Sequence, residues 1–208
     1  SMEDQWKYPK IFEDPIKGNE AQKLFDDAQQ ILDLIISENR LTANGVVGIF
    51  EAKSKGDDVQ IFNKDKNEEV ILHFLRNQQQ KDEGVPNLCL ADFIASEVSQ
   101  VKDYIGGFAC TVGVGLEKWV KYYRDNNDDY NAIMMEILAD RLAEAFAELL
   151  HEKVRKELWG YAKEENLKKE DLIAEKYIGI RPAHGYPSAP DHHEKVILFD
   201  ILDATNHT

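Results

Sequence analysis

The chain has 208 residues, of which 43% are hydrophobic, and 39 acidic against 25 basic side chains leave a net charge of −14. That length suits one ordinary domain with a sizeable core, needing neither a disulfide nor a metal to fold. The charge argues against free-standing nucleic-acid binding and attraction to anionic lipid, since both need cations on some face; it suits approach to a basic protein or a cationic ligand.

Residues 1–18 are irregular, punctuated by Pro9, Pro15 and Gly18, and Ser1-Met2 reads as an expression scar. The N-terminus lacks the apolar core of a signal peptide, and no apolar run is long enough to span a bilayer. Asn19 can cap a helix, and Ala21, Leu24, Phe25, Ala28, Ile31, Leu32, Ile35 and Ile36 recur at helical spacing over about 20–38. Asn44-Gly45 then breaks the chain. Val46, Val47, Ile49 and Phe50 form a strand-like run, Ser54-Lys55-Gly56-Asp57 a turn, and Val59 with Ile61 the next strand. Val70, Ile71, Leu72 and Phe74 predict a third. The connections are too short for helical crossovers, so the strands form an antiparallel meander.

Residues 76–87 are polar and loop-like. VKDYIGGFACTVGVG reads as a further strand, with Gly106-Gly107 marking a bulge or a close backbone approach. A short helix over 116–125 ends at Asn-Asn-Asp-Asp. The longest element is a core helix near 129–159, with Tyr130, Met134, Leu138, Leu142, Ala145, Phe146 and Leu149 as its apolar stripe. Residues 170–176 make a helical turn, a Pro/Gly-rich loop follows, and Asp191 can cap a last helix over 192–203. Helices and meander strands segregate along the chain, so the fold class is α+β, a twisted antiparallel sheet flanked by helices. Nothing in the composition marks a boundary, and 1–208 reads as a single domain.

Cys89 and Cys110 sit among apolar residues and read as small buried hydrophobes in a reducing compartment, with a disulfide or a reactive thiol as the alternative. Arg141, Glu144, Glu148 and His151 share one flank of the long helix. A flank is half buried, so these side chains need partners. Either they tie the helix to the sheet as ion pairs, or they wall a ligand cleft. Glu148-x-x-His151 has the spacing of a di-iron ligand pair, but no second such motif accompanies it. Position 155 is Arg, so the zinc-protease motif is absent. Asp191-His192-His193-Glu194 cannot converge on one metal from a helix, because adjacent side chains point about 100° apart; a helix cap with two exposed histidines accounts for it better. Gly113-Val114-Gly115 lacks the third glycine of a dinucleotide fingerprint.

The remaining candidate is Arg181-Pro182-Ala183-His184-Gly185-Tyr186-Pro187. Its two prolines stiffen the loop and lower the entropy lost on ordering it. Arg181 offers a planar fork to a carboxylate, Gly185 a close backbone approach, and Tyr186 a ring and hydroxyl for a purine or ribose. A rigid structural connector carrying a surface arginine is the plainer alternative.

YIGIRPAHGYPSAPDHHEK, with NLCLADFIA, VKDYIGGFA, NGVVGIFEA and DDYNAIMMEILADRLAEAFAELLHEKVRKELWGYA, closely resembles the activation domain of cobalamin-dependent methionine synthase. The likeness runs in one order from about Lys7 to Lys195. It implies an α+β fold and a role as a reactivation module in methionine biosynthesis. Such a module binds S-adenosylmethionine and presents its methyl group to inactive cob(II)alamin, while flavodoxin or an equivalent donor supplies the electron. Cobalamin is carried by another domain, so the cobalamin-binding domain and the electron donor are the implied partners, in the cytoplasm, with no nucleic acid and no membrane. The parent enzyme is a 5-methyltetrahydrofolate–homocysteine methyltransferase, and the isolated domain is not expected to be catalytic.

The family signature R-x-x-x-G-Y falls on Arg181, Gly185 and Tyr186. The resemblance assigns Arg181 to the ligand's carboxylate, Ala183 and Gly185 to backbone contacts, and Tyr186 to the nucleoside. It places Glu144 and Glu175 near the ligand, where a carboxylate can offset a sulfonium. Three departures stand out. His184 replaces the usual middle proline, the family domain begins earlier with an Asp that serves the site, and it continues past Thr208 to a strand supplying another Tyr wall. The alternative is a shortened paralogue that docks on a cobalamin-binding partner without binding the ligand.

Overall fold

A computed structural model describes residues 8–63 and 66–208. Ser1-Met2 and Lys7, where the scar and the start of the family likeness fall, lie outside the described residues. The chain divides into two compact units, one comprising residues 1–43 and 111–146, the other 44–110 and 147–208.

The first unit is helical. Helix α1 (Gly18–Ser37) buries Ile31 and Ile35 one turn apart. It closes with Arg40 N–H donating back to the Ile35 carbonyl at 3.0 Å, across Asn39 in the left-handed region at φ 50. Helix α2 (Leu116–Asp125) begins at Gly115, φ +98, where a Cβ would lie 2.7 Å from the Arg40 carbonyl oxygen. Only glycine fits that approach; the Gly-Val-Gly run is a helix entry. Asp128 accepts the Asn131 N–H at 3.1 Å and opens helix α3 (Asp129–Lys153). Ile31, Ile35, Val120, Tyr123, Ala132, Met134 and Met135 form this unit's core. The buried face of α3 keeps Met134, Leu138 and Leu142 of the expected stripe but is wider than it and ends sooner. Ala132, Met135 and Ala139 are inside, whereas Tyr130 is 50% exposed and donates its hydroxyl to Asp27. Small Ala lets α3 pack closely, and the amphipathic Tyr takes the margin.

The second unit holds the sheet ladders. Strand β1 (Thr42–Lys55) pairs antiparallel with β2 (Asp58–Asn63) through a two-residue Gly56-Asp57 turn. Strand β2 pairs antiparallel with β3 (Glu68–His73), and β4 (Asp103–Val114) completes the order β3-β2-β1-β4. The meander is as expected, but β1 begins earlier and runs through Asn44-Gly45. An Asn-Gly pair makes a hairpin only between two strand-like runs, and here only the end of α1 precedes it. Alternate β2 residues Val59 and Ile61 are fully buried with Ala52, Leu72 and Phe74, against Cys89, Ala91, Ala189, Ile201, Leu202 and Ala204. Ile201 and Leu202 come from α5 (Glu194–Leu202), and Ala204 opens α6 (Ala204–His207). A Cβ at Gly107 would lie 2.7 Å from Leu198 on α5, which is the close approach the glycine pair signalled. Neither cysteine is in a disulfide; Cys89 is buried as expected and donates to the Phe74 carbonyl at 3.1 Å, whereas Cys110 is only half-buried.

Within this unit α3 runs into a π-helical turn at Val154–Leu158, where Trp159 N–H donates to the Val154 carbonyl. Gly160, at φ +73, ends it. A five-residue helix, α4 (Lys169–Ile173), leads to the loop that carries the signature.

Candidate functional site

The signature loop is fixed at both ends by groups outside it. Ahead of it, Tyr177 lies against a buried knot centred on Arg155, a 0%-exposed residue of the π-helical turn. The Arg155 guanidinium donates to Glu165 at 2.6 Å and to His151 Nδ1 at 2.8 Å, and stands 4.6 Å over the Tyr177 ring. The His151 ring meets Tyr177 edge-on at 4.7 Å. Burial, then the charges of Arg155 and Arg181, push the His151 pKa down to about 4. His151 is thus neutral near pH 7, which suits its acceptance of an Arg155 N–H. The Arg155 hydrogen bonds hold the Glu165 carboxyl below its usual range.

Behind the signature, Ala189 is 3% exposed in the sheet core, and Ser188 accepts the Leu90 N–H at 2.9 Å. Between these anchors the chain folds on itself. Tyr186 N–H donates to the Ala183 carbonyl at 3.2 Å, Gly185 N–H to the Ala189 carbonyl at 2.8 Å, and Ala189 N–H to the Tyr186 carbonyl at 2.9 Å. Gly185 has φ +101, and a Cβ there would fall on the His192 ring. His184 turns inward and stacks on Phe74 at 6.1 Å with an interplanar angle of 12°, and burial pushes its pKa down. Stacking thus replaces the stiffness that a proline would give at this position. Its Nδ1 is buried without a hydrogen-bond partner.

Arg181 is half-buried at 28% side-chain exposure, and its Nη2 donates to the carboxylate of Glu148 on α3. Its Nε is buried without an acceptor. A guanidinium with one arm held and one donor bare can still take a carboxylate. Tyr186 is 63% exposed, so its ring is open to a flat partner. The donor set suits a ligand that combines a carboxylate with an aromatic base.

The other two candidate carboxylates are placed differently. Glu175 is exposed just after α4, in the left-handed region at φ 53. Glu144 belongs to the first unit and accepts from Arg141 at 3.0 Å. Each member of the α3 flank thus has a partner, Arg141 with Glu144 and Glu148 with Arg181 as ion pairs, and neutral His151 with Arg155 through a hydrogen bond. Sequence reasoning missed Arg155 and, having placed Glu148 on a flank whose side chains need partners, did not connect it with Arg181. The first looks like any surface arginine of an acidic helix. The second is separated from its partner by 33 positions, with no pattern to join them.

The last helix begins at Glu194 with His193 in the cap position and no side-chain cap, so Asp191 does not cap it; its carboxylate instead accepts the His193 N–H at 2.8 Å, two residues before the helix. Its neighbour Glu194 is buried and accepts the His73 N–H at 3.0 Å. Among the described residues no three His, Cys, Asp or Glu side chains gather as a metal site, and no helix is long and apolar enough to cross a membrane.

A family model described as the vitamin B12-dependent methionine synthase activation domain matches residues 2–208. A crystal structure of the MetH reactivation domain bound to AdoHcy matches with a TM-score of 0.86 and 50% identity, over 95% of this chain and 61% of that one. The sheet order, the long helix and a match that spans almost every residue lead to one assignment: the chain belongs to the family of vitamin B12-dependent methionine synthase activation domains.

Proposed function

We propose that this chain binds S-adenosylmethionine through the Arg181–Tyr186 loop and acts as a reactivation module of cobalamin-dependent methionine synthase. The observation that carries the reading is the half-engaged Arg181, whose buried Nε has no acceptor, next to an exposed Tyr186 on a loop pinned at both ends. The 50%-identical relative bound to AdoHcy supports it. Arg181 takes the amino-acid carboxylate of the ligand and Tyr186 packs on the nucleoside. The Ala183 carbonyl and Gly185 N–H are already used inside the turn. Backbone contacts to the ligand therefore fall first to the Ala183 N–H and the Gly185 carbonyl. Glu175 and Glu144 are the carboxylates proposed to offset the sulfonium charge.

The ligand's methyl group is what a reductive methylation of inactive cob(II)alamin requires. The cobalamin belongs to another domain of the family and the electron to flavodoxin or an equivalent reductant. The part of this chain is to bind and orient the methyl donor and to dock on the cobalamin-binding domain, not to catalyse by itself. Two cysteines outside any disulfide are consistent with a cytoplasmic setting. The net charge of −14 favours a docking affinity that changes with salt.

Isothermal titration of S-adenosylmethionine into the chain and into Arg181→Ala tests the reading. Removal of a charged hydrogen bond worth about 1.5–3 kcal/mol weakens binding by roughly 10–150-fold. Equal heats for the two proteins remove Arg181 from the site. No heat from the unaltered chain, together with ligand-independent capture by a cobalamin-binding domain, favours the docking paralogue instead.

A further inference from the structure

The ion pairs of α3 and its π-helical extension are of two kinds. Arg141–Glu144, Glu152–Lys156 and Lys153–Glu157 close within one helical turn, between side chains that range from a third to two thirds exposed. Such pairs contribute little and fix nothing beyond the helix. Glu148 is different. It reaches 33 residues along the chain to the signature loop and holds a guanidinium that is only 28% exposed. The charges of Arg155 and Arg181 both act on the neutral His151, and Glu148 is the carboxylate to which Arg181 bonds on α3. With Nη2 taken, the remaining donors are fixed in direction, because the guanidinium is planar and rigid. The buried Nε is among them and has no protein acceptor.

We infer that Glu148 is a positioning residue for the ligand's amino-acid end: by holding one arm of Arg181 it fixes the guanidinium plane so that a second carboxylate, that of the ligand, meets the donors left over. The inference rests on the binding reading given above and adds to it a residue that sets selectivity for ligands bearing the carboxylate over those lacking it. Glu148 itself touches no part of the ligand in this scheme. A free Arg181 would wander among rotamers and have to be ordered at each binding event, whereas one tethered by Glu148 has already lost that freedom.

Two probes separate this from a general loss of fold. S-Adenosylhomocysteine carries the amino-acid carboxylate, and 5′-methylthioadenosine shares its nucleoside and thioether but lacks it. Titration of both into the unaltered chain and into Glu148→Gln should show S-adenosylhomocysteine weakened about tenfold and methylthioadenosine changed by less than about twofold, an effect too small for a loss of the site. The two proteins should show the same circular dichroism spectrum. Equal weakening of both probes overturns the inference in favour of a structural role for Glu148. Unchanged or tighter binding of S-adenosylhomocysteine by Glu148→Gln also overturns it, since the carboxylate would then be idle or a competitor. If the unaltered chain binds neither probe, the binding reading itself fails and the inference falls with it, a pattern distinct from the other two.

Discussion

Arg155 and Arg181 lie in the same unit, and both pair with a glutamate, but their surroundings differ in kind. Arg155 is sealed at 0% exposure, bonded to Glu165 and His151, and roofed by Tyr177. Arg181 keeps 28% exposure, holds one glutamate that is 46% exposed, and has a donor left over. A fully buried guanidinium survives only if its donors are satisfied and its charge is matched, so Arg155 is a structural knot with nothing to offer a ligand. A half-buried one, tethered on one side, keeps the part of its hydrogen-bonding capacity that recognition needs. The knot serves the tether, because Tyr177 is wedged against it four residues ahead of Arg181.

The largest expected effect comes from breaking the sealed pair alone. Glu165→Gln leaves a buried charge without its counter-ion, which costs about 3–5 kcal/mol. In a domain of this size that lowers the thermal midpoint by roughly 6–20 °C. Glu148→Gln in the half-open pair should shift the midpoint by no more than about 2–4 °C, since such partly exposed pairs contribute up to about 1 kcal/mol. Differential scanning fluorimetry on both variants checks the contrast, and equal shifts would mean that the two arginines do the same structural work.

Acid should find the same difference through His151. Its folded-state pKa lies near 4, against an ordinary value of 6.5. Between these values the unfolded chain binds the proton and the folded one does not. Stability is therefore complete above about pH 6.5 and falls as the pH drops toward 4. The full effect is at most about 3 kcal/mol. Denaturant midpoints taken from pH 7 to pH 4.5 should decline in the unaltered chain and decline less in His151→Asn, whose amide oxygen can still accept from Arg155. Parallel slopes would show that His151 is not buried neutral.

Much of this was legible in the residues. Periodicity located α1, α2 and the meander, because apolar spacing reports which face is buried whatever lies opposite. On α3 it found Met134, Leu138 and Leu142 on the inner side but overran at both ends, since Tyr130 and Leu149 count as apolar yet are 50% and 47% exposed, and it missed small Ala132 and Ala139, which lie inside. The Arg-x-x-x-Gly-Tyr loop could be read because its parts are consecutive. What supports it could not. Glu148, Arg155, Glu165 and Tyr177 come from three separate segments, and no local rule says that an arginine in an acidic helix will be sealed. The π-helical turn that carries Arg155 leaves no trace in a pattern that reads as helix through Trp159.

An effect smaller than that of breaking the sealed pair concerns the turn between the two anchors, and it asks whether the half-open region depends on backbone shape as well as on its tether. Gly185 combines φ +101 with a ring in the way of any Cβ. His192 is exposed and sits at the far end of its own side chain, so the ring can swing aside at little cost. The backbone sign cannot be relieved in that manner, and an L-residue held there costs about 1–2 kcal/mol. Gly185→Ala should accordingly lower the thermal midpoint by roughly 2–8 °C, and adding His192→Ala should restore little of the loss. Near-complete rescue by the second substitution would make the ring the obstacle and leave the loop's path free to change. Failure of rescue, with S-adenosylhomocysteine binding weakened in both variants, would show that the tether on Arg181 works only on a turn that glycine alone permits.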